Sequence, residues 1–206
     1  MISWSNVEIA LDTLNDKNPA LFSKSLLIGG WAALLYHRLL TLKNDSAFPA
    51  PMPDSTARLV SKDLDFTHVW SEDFFDAYPD FVVRPSIGRP YLEVAGIRIG
   101  FAQVGVTFDP EEAFEKSRIF KTHAGTNFAT LDPVRLYREK QALIEKQRSK
   151  PNDYFHREIA ATYAKFELAE AIKKHSSEPI AFNQVRIERL TRELKDLAPE
   201  LLERPK

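Results

Sequence analysis

The chain has 206 residues, of which 44% are hydrophobic and 28% charged. This is typical of an ordinary globular protein with one medium-sized domain, or with one domain and a helical appendage. A formal net charge of −1 excludes the bulk basic field that drives strong nonspecific DNA binding. The absence of cysteine excludes disulfides and thiolate metal sites, and it favours a cytoplasmic location. Neither a transmembrane helix nor a signal peptide is expected.

The first third of the chain predicts a helix, a buried strand and a second helix. Apolar residues at helical spacing behind Ser5 indicate a first helix of about ten residues. Residues 26–28 predict a short buried strand, which Gly29 and Gly30 end before an apolar helix over 31–42. Residues 44–57 contain three prolines and predict a loop, either a mobile flap or a tolerated insertion.

The next part predicts short strands. In a strand over 61–68, Asp63 and Asp65 share one face while Leu64 and Phe66 point into a core. A short helix near 71–77 and a strand at 81–84 follow. Two hairpins are then predicted, one with strands 91–94 and 97–104, and one within 118–131.

From Asp132 the pattern is helical. Asp132 is a good cap and Pro133 a good first helical residue, and we expect helices over 132–148, 153–175 and 183–197. The apolar stripe of the last helix either packs on the domain or forms a dimer seam. The fold class is therefore α+β, with an α+β domain over 1–131 and a helical subdomain over 132–206.

Two motifs point to chemistry. Alternate aspartates on a strand are within reach of one divalent ion, although most isolated pairs of this kind are exposed strand residues. Glycines at a helix start let a phosphate approach the backbone, although they also make a tight turn without any ligand. The order of strand, Gly-Gly, helix and Asp-x-Asp strand favours nucleotide chemistry.

These motifs resemble the nucleotidyltransferase-fold superfamily, and within it the AbiEii-type toxins and their minimal relatives. The resemblance rests on the following residues: Gly29, Gly30, Arg58, Ser61, Lys62, Asp63, Leu64, Asp65 and Phe66. It continues through Leu131-Asp132-Pro133, Lys140, Arg148 and Asp153. It implies a mixed sheet flanked by helices with a C-terminal helical part.

The resemblance also implies a function and a set of site residues. Asp63 and Asp65 would hold Mg²⁺ or Mn²⁺, and an NTP would be bound by Gly29, Gly30, Ser61, Lys62 and Lys140. The reaction would move a nucleoside monophosphate to a hydroxyl acceptor, which is tRNA, a protein or a small molecule. The chain would then be a toxin or phage-defence component with a cognate antitoxin.

Lys140 also stands out on its own helix. It lies at the centre of an apolar arc that contains Leu136, Tyr137, Leu143 and Ile144. A lysine there either snorkels from the edge of a core or points into a cleft. With the motif, contact with phosphate is favoured.

One position departs from the family pattern. The third carboxylate of the family lies on the strand after the Asp-x-Asp strand, where this chain has Gly100. That acid completes metal binding or acts as the general base. Glu93 either leans into the site as a replacement or forms a plain cross-strand pair with Arg98, and Asp109 is a weaker substitute. Without a replacement, the chain is a degenerate module that binds a nucleotide or a partner protein.

Overall fold

The computed structural model of the protein describes residues 4–43, 63–68, 74–101, 108–147 and 149–202. Its α-helices are α1 (Trp4–Lys17), α2 (Pro19–Phe22), α3 (Gly29–Lys43), α4 (Pro110–Glu115), α5 (Pro133–Glu145), α6 (Pro151–Ser177) and α7 (Ala181–Leu197). Its strands are β1 (Ser25–Ile28), β2 (Asp63–His68), β3 (Val82–Val83), β4 (Tyr91–Val94), β5 (Ile97–Phe101), β6 (Arg118–Lys121) and β7 (Asn127–Thr130). Short 3-10 helices cover Phe74–Ala77, Pro79–Phe81 and Pro199–Leu201.

The strands form one mixed seven-stranded sheet in the order β3-β4-β5-β2-β1-β7-β6. In its centre, β1 pairs antiparallel with β2 and parallel with β7, and β2 pairs parallel with β5. The outer pairs β3–β4, β4–β5 and β6–β7 are antiparallel. Strand β2 therefore has a neighbour on each side, which holds its side chains in a fixed register.

One face of the sheet forms a hydrophobic core. Its side chains are at most 2% exposed, namely those of Leu27, Leu64, Phe66, Leu92, Val94, Ile97 and Ile99. The ring of Phe22, the last residue of α2, meets Phe66 edge-on at a centroid distance of 6.2 Å. Because side chains alternate along a strand, burial of Leu64 and Phe66 leaves Asp63 and Asp65 on the opposite face.

The described residues divide into two compact units. Those of 4–32 and 63–132 form the first unit, which contains the whole sheet, and those of 33–43 and 133–202 form the second, which is helical. In the second unit, α5 packs along α6, and α7 packs against both. Among the residues that the structure describes, no helix is long and apolar enough to cross a membrane.

The predicted α+β class is confirmed, with a mixed sheet, flanking helices and a helical C-terminal part. The predicted hairpin turn is present at Ala95 and Gly96, which both have positive φ angles, of 50° and 73°. Helix α3 begins at Gly29 rather than Trp31, and Gly29 itself has a left-handed φ of +72° between the strand and the helix.

The sequence patterns missed helix α4. Asp109 is its N-cap and accepts a hydrogen bond from the backbone N–H of Glu112, while Pro110 opens the helix. This is a cap followed by proline, a recognised helix start. The short helix α2 was also missed, since four residues are too few for a helical period to be read.

Candidate functional site

The two predicted metal-binding aspartates lie on the open face of β2. Asp63 and Asp65 are two strand rises apart, about 6.6 Å along the backbone. In the parallel pairing with β5, Asp63 is opposite Arg98 and Asp65 is opposite Gly100. Paired residues of neighbouring strands point to the same side of a sheet. We call the side that carries these residues the aspartate face.

The Asp65 carboxylate lies between two glycines. A Cβ atom built on Gly29 would lie 3.0 Å from Asp65 Oδ2, and one built on Gly100 would lie 3.2 Å from Asp65 Oδ1. Both distances are shorter than ordinary van der Waals contact, so a larger residue at either position would displace the carboxylate. Gly29 also has a φ of +72°, which glycine adopts without strain. The two glycines therefore make the space that Asp65 occupies.

Gly29 brings the start of a helix to this carboxylate. It is the first residue of α3, and it follows Ile28, which is the register partner of Asp65 across β1 and β2. The N-terminus of a helix carries partial positive charge and unpaired N–H groups, which favour an anion. Gly30 is the second residue of α3 and is buried. Strand, glycine pair and aspartates are thus assembled in the order that the motifs predicted.

Arg98 introduces a positive charge on the aspartate face. Its Nε lies 3.9 Å from Asp63 Oδ1, and its guanidinium carbon lies 4.3 Å from the centroid of the Tyr91 ring. Both ends of the ion pair are partly open to solvent, with side chains 52% and 39% exposed for Arg98 and Asp63. A cation over the face of an aromatic ring is attracted by the ring, which favours this position of the guanidinium.

The proposed substitutes for the third acid occupy separate places. Glu93 is exposed and lies directly opposite Arg98 across β4 and β5, as the hairpin predicted, while Arg98 forms an ion pair with Asp63. Asp109 is engaged as the cap of α4. Within the described residues, no three His, Asp or Glu side chains are grouped so that they could hold a metal ion. Of the predicted acidic site residues, Asp63 and Asp65 are the two that lie on the same face of one strand.

Two of the predicted nucleotide-binding residues, Ser61 and Lys62, lie outside the described residues, as do the loop 44–57, Arg58 and Arg148. Another predicted nucleotide-binding residue, Lys140, lies in the helical unit and is only 5% exposed. Its Nζ is 2.8 Å from Asp153 Oδ1, so the two residues form a buried ion pair between α5 and α6. Contact of Lys140 with phosphate stays a prediction.

Asp153 also accepts a hydrogen bond from the backbone N–H of Lys150, 2.7 Å from its Oδ2, at the start of α6. Burial alone would raise the pKa of Asp153. The hydrogen bond and charge of Lys140, together with the Lys150 N–H, outweigh it and lower the pKa below its ordinary value. The ionised pair of Lys140 and Asp153 therefore stabilises the packing of α5 against α6.

The comparisons with known proteins bear on the fold. A solved structure similar to this chain is an antigenic nucleotidyltransferase-like protein from Paracoccidioides brasiliensis, with a TM-score of 0.50 over 97% of this chain and 94% of that one, at 12% identity. The fold is nucleotidyltransferase-like. The Megavirus polyadenylate synthase matches at a TM-score of 0.35 and 12% identity, over 88% of this chain and 37% of that one, which is too distant to carry an argument. No protein-family profile matches the chain, and no curated protein does.

The sequence places Arg98 on the face of Gly100, two residues away on the same strand, opposite Glu93. It did not predict the ion pair of Arg98 with Asp63 or its contact with Tyr91. Asp63 comes from a parallel strand far away in the chain, and that register could not be read from the pattern.

Proposed function

We propose that the chain is a metal-dependent nucleotidyltransferase that moves a nucleoside monophosphate from an NTP to a hydroxyl acceptor. One observation carries the proposal: Asp63 and Asp65 share the aspartate face, with the Asp65 carboxylate against Gly29 at the start of α3. Carboxylates for a divalent ion and a helix start for phosphate are the two parts that this reaction requires. The nucleotidyltransferase-like fold is consistent with that reading.

The donor set fits Mg²⁺ or Mn²⁺. Magnesium is bound by one or two protein carboxylates and completes its octahedron with water and substrate phosphate oxygens. Asp63 and Asp65 supply that number of carboxylates. Bound there with an NTP, the ion would neutralise charge that develops on the phosphate oxygens.

The residues of this chain then have distinct tasks. Gly29 and Gly30 let the triphosphate approach the backbone of α3, and the resemblance of the motifs gives Ser61 and Lys62 to nucleotide binding as well. The acceptor oxygen forms a bond to the α-phosphorus, the bond to the β-phosphate oxygen breaks, and pyrophosphate leaves. Glu93, exposed on the aspartate face, accepts the hydroxyl proton.

A second candidate is a binding module of the same fold without turnover. Gly100 favours it, because position 100 lies directly beside Asp65 and carries no acid. Such a module would bind nucleotide and metal with Asp63 and Asp65 and would release the nucleotide unchanged.

For the acceptor and the biological role, the proposal follows the resemblance of the motifs. The acceptor is a hydroxyl of tRNA, of a protein or of a small molecule, and the chain acts in the cytoplasm as a toxin or phage-defence component that a cognate antitoxin restrains. Because the net charge is −1, an RNA acceptor would be recognised locally rather than through a bulk basic field. Co-expression with neighbouring genes, scored as rescue of growth, would test the antitoxin.

Turnover separates the two candidates. The protein is incubated with Mg²⁺, each α-labelled NTP and either total tRNA or a protein extract, with Asp63→Ala as the control. Label transferred by the wild type and lost in the variant supports the enzyme. Metal-dependent binding without transfer under any of these conditions supports the module. Neither binding nor transfer would contradict both.

A further inference from the structure

We propose that Arg98 is a phosphate-binding cation of this site and contacts the triphosphate while Asp63 binds the metal. This inference rests on the proposed function, since it names a further residue of the same nucleotide site. It assigns to Arg98 the neutralising role that the motif resemblance gave to Lys140.

Arg98 lies in a suitable position beside the two aspartates. Arg98 lies in register with Asp63 on the neighbouring parallel strand, two residues before Gly100, which is opposite Asp65. Its side chain therefore extends over the same face as both aspartates. A group that reaches within 3.9 Å of Asp63 Oδ1 is also within reach of a ligand that shares a metal with that carboxylate.

The N–H donors of the Arg98 guanidinium are available to a ligand. A separation of 3.9 Å is longer than a hydrogen bond, so Asp63 does not take up the N–H donors of the guanidinium. Ion pairs this exposed are weak and exchange readily. The guanidinium carbon meanwhile lies over the Tyr91 ring, 4.3 Å from its centroid, and this contact does not use the N–H donors. Arginine presents those donors as a planar fork that matches phosphate oxygens.

The charge of a bound metal triphosphate also favours Arg98. Asp63 and Asp65 together cancel one divalent ion, so the charge of a triphosphate requires a further cation on the aspartate face. Lys140 is 5% exposed, and moving it to a phosphate would leave the Asp153 carboxylate buried and unpaired. Arg98 is already half-exposed on the correct face, and its release from Asp63 leaves no buried charge.

The test measures binding of ATP and of inorganic tripolyphosphate, each with Mg²⁺, by calorimetry. We expect Arg98→Ala to weaken both about tenfold or more, which is the range for loss of a charge-assisted hydrogen bond. Arg98→Lys should recover part of the loss, because it keeps the charge without the fork. The affinity for Mn²⁺ alone, followed by its paramagnetic signal, should be unchanged or higher, because a competing cation has left Asp63.

Arg84→Ala is the matched control, because Arg84 forms a similar exposed pair with Asp76 at 3.8 Å on the same unit. It should leave both affinities unchanged. Wild-type affinity for tripolyphosphate in Arg98→Ala would overturn the inference alone. An equal loss of Mn²⁺ binding would also overturn it, by showing that Arg98 only positions Asp63. Absence of ATP binding by the wild type would overturn the proposed function as well.

Discussion

At the scale of single residues, the site depends on the absence of two side chains. A Cβ atom added to Gly29 would lie 3.0 Å from Asp65 Oδ2, and one added to Gly100 would lie 3.2 Å from Asp65 Oδ1. The sequence alone does not show that a glycine makes room for a neighbouring carboxylate. Gly29 is predictable, because a glycine pair that opens a helix is a known pattern, whereas the sequence presents Gly100 only as the place of a missing acid.

The Gly100→Ala variant should separate binding from stability. The φ of Gly100 is not in the left-handed region, so alanine fits the strand backbone at this position. The free energy of unfolding of the variant should therefore stay within about 1 kcal/mol of the wild-type value. The added methyl displaces the Asp65 carboxylate, so Mg²⁺-dependent nucleotide affinity should fall severalfold. Denaturant unfolding and calorimetry measure the two effects, and unchanged affinity would contradict the assigned role of Asp65.

The Gly29→Ala variant should lose both stability and nucleotide affinity. Alanine at a φ of +72° costs about 1–2 kcal/mol of unfolding free energy, and its methyl also meets Asp65. Gly96→Ala is the matched control, with a φ of +73° and open space around the added methyl. It should lose similar stability yet keep nucleotide affinity. Equal loss of affinity in the two variants would show that strain alone is responsible.

At the scale of elements, the connection between α5 and α6 depends on the buried pair of Lys140 and Asp153. The apolar arc around Lys140 predicts a lysine that snorkels from the edge of a core or points into a cleft, and the structure shows it buried in an ion pair. Its partner could not be read from the pattern, because Asp153 belongs to the next helix and meets Lys140 only once the two helices pack. A lysine at the centre of an apolar stripe is thus explained here by a carboxylate from a neighbouring helix.

Asp153→Asn should destabilise the protein by about 3 kcal/mol near neutral pH, because the change leaves the Lys140 charge buried without its partner. Since the pKa of Asp153 is lowered in the folded state, its contribution is complete above the unfolded value of about 3.9 and is lost as pH falls through the folded value. The stability difference between wild type and variant should therefore shrink below about pH 4.

Denaturant unfolding as a function of pH measures that difference. Asp80→Asn is the control, since its pair with Lys17 is largely exposed and should contribute less than about 1 kcal/mol. A difference for Asp153→Asn that is small at neutral pH, or that persists in acid, would contradict the buried ion pair.

At the scale of the whole molecule, the fold class and most of the elements could be predicted from the sequence. Alternation in β2 and the Ala95-Gly96 turn are local signals, and the structure confirms both. The order of the sheet is not local: β2 lies between β1 and β5, and that arrangement determines which side chains share the aspartate face. Pairing between distant strands is therefore what sequence patterns could not supply.

The central claim is that Asp63 and Asp65 form a metal-dependent nucleotide site. It is tested most directly by calorimetric titration of the protein with ATP, GTP, CTP and UTP, with and without Mg²⁺, on wild type and the Asp63→Ala/Asp65→Ala double variant. We expect at least one nucleotide to bind the wild type only with Mg²⁺, and binding to be lost in the folded double variant. Absence of nucleotide binding to the wild type, or equal binding to the double variant, would contradict the account.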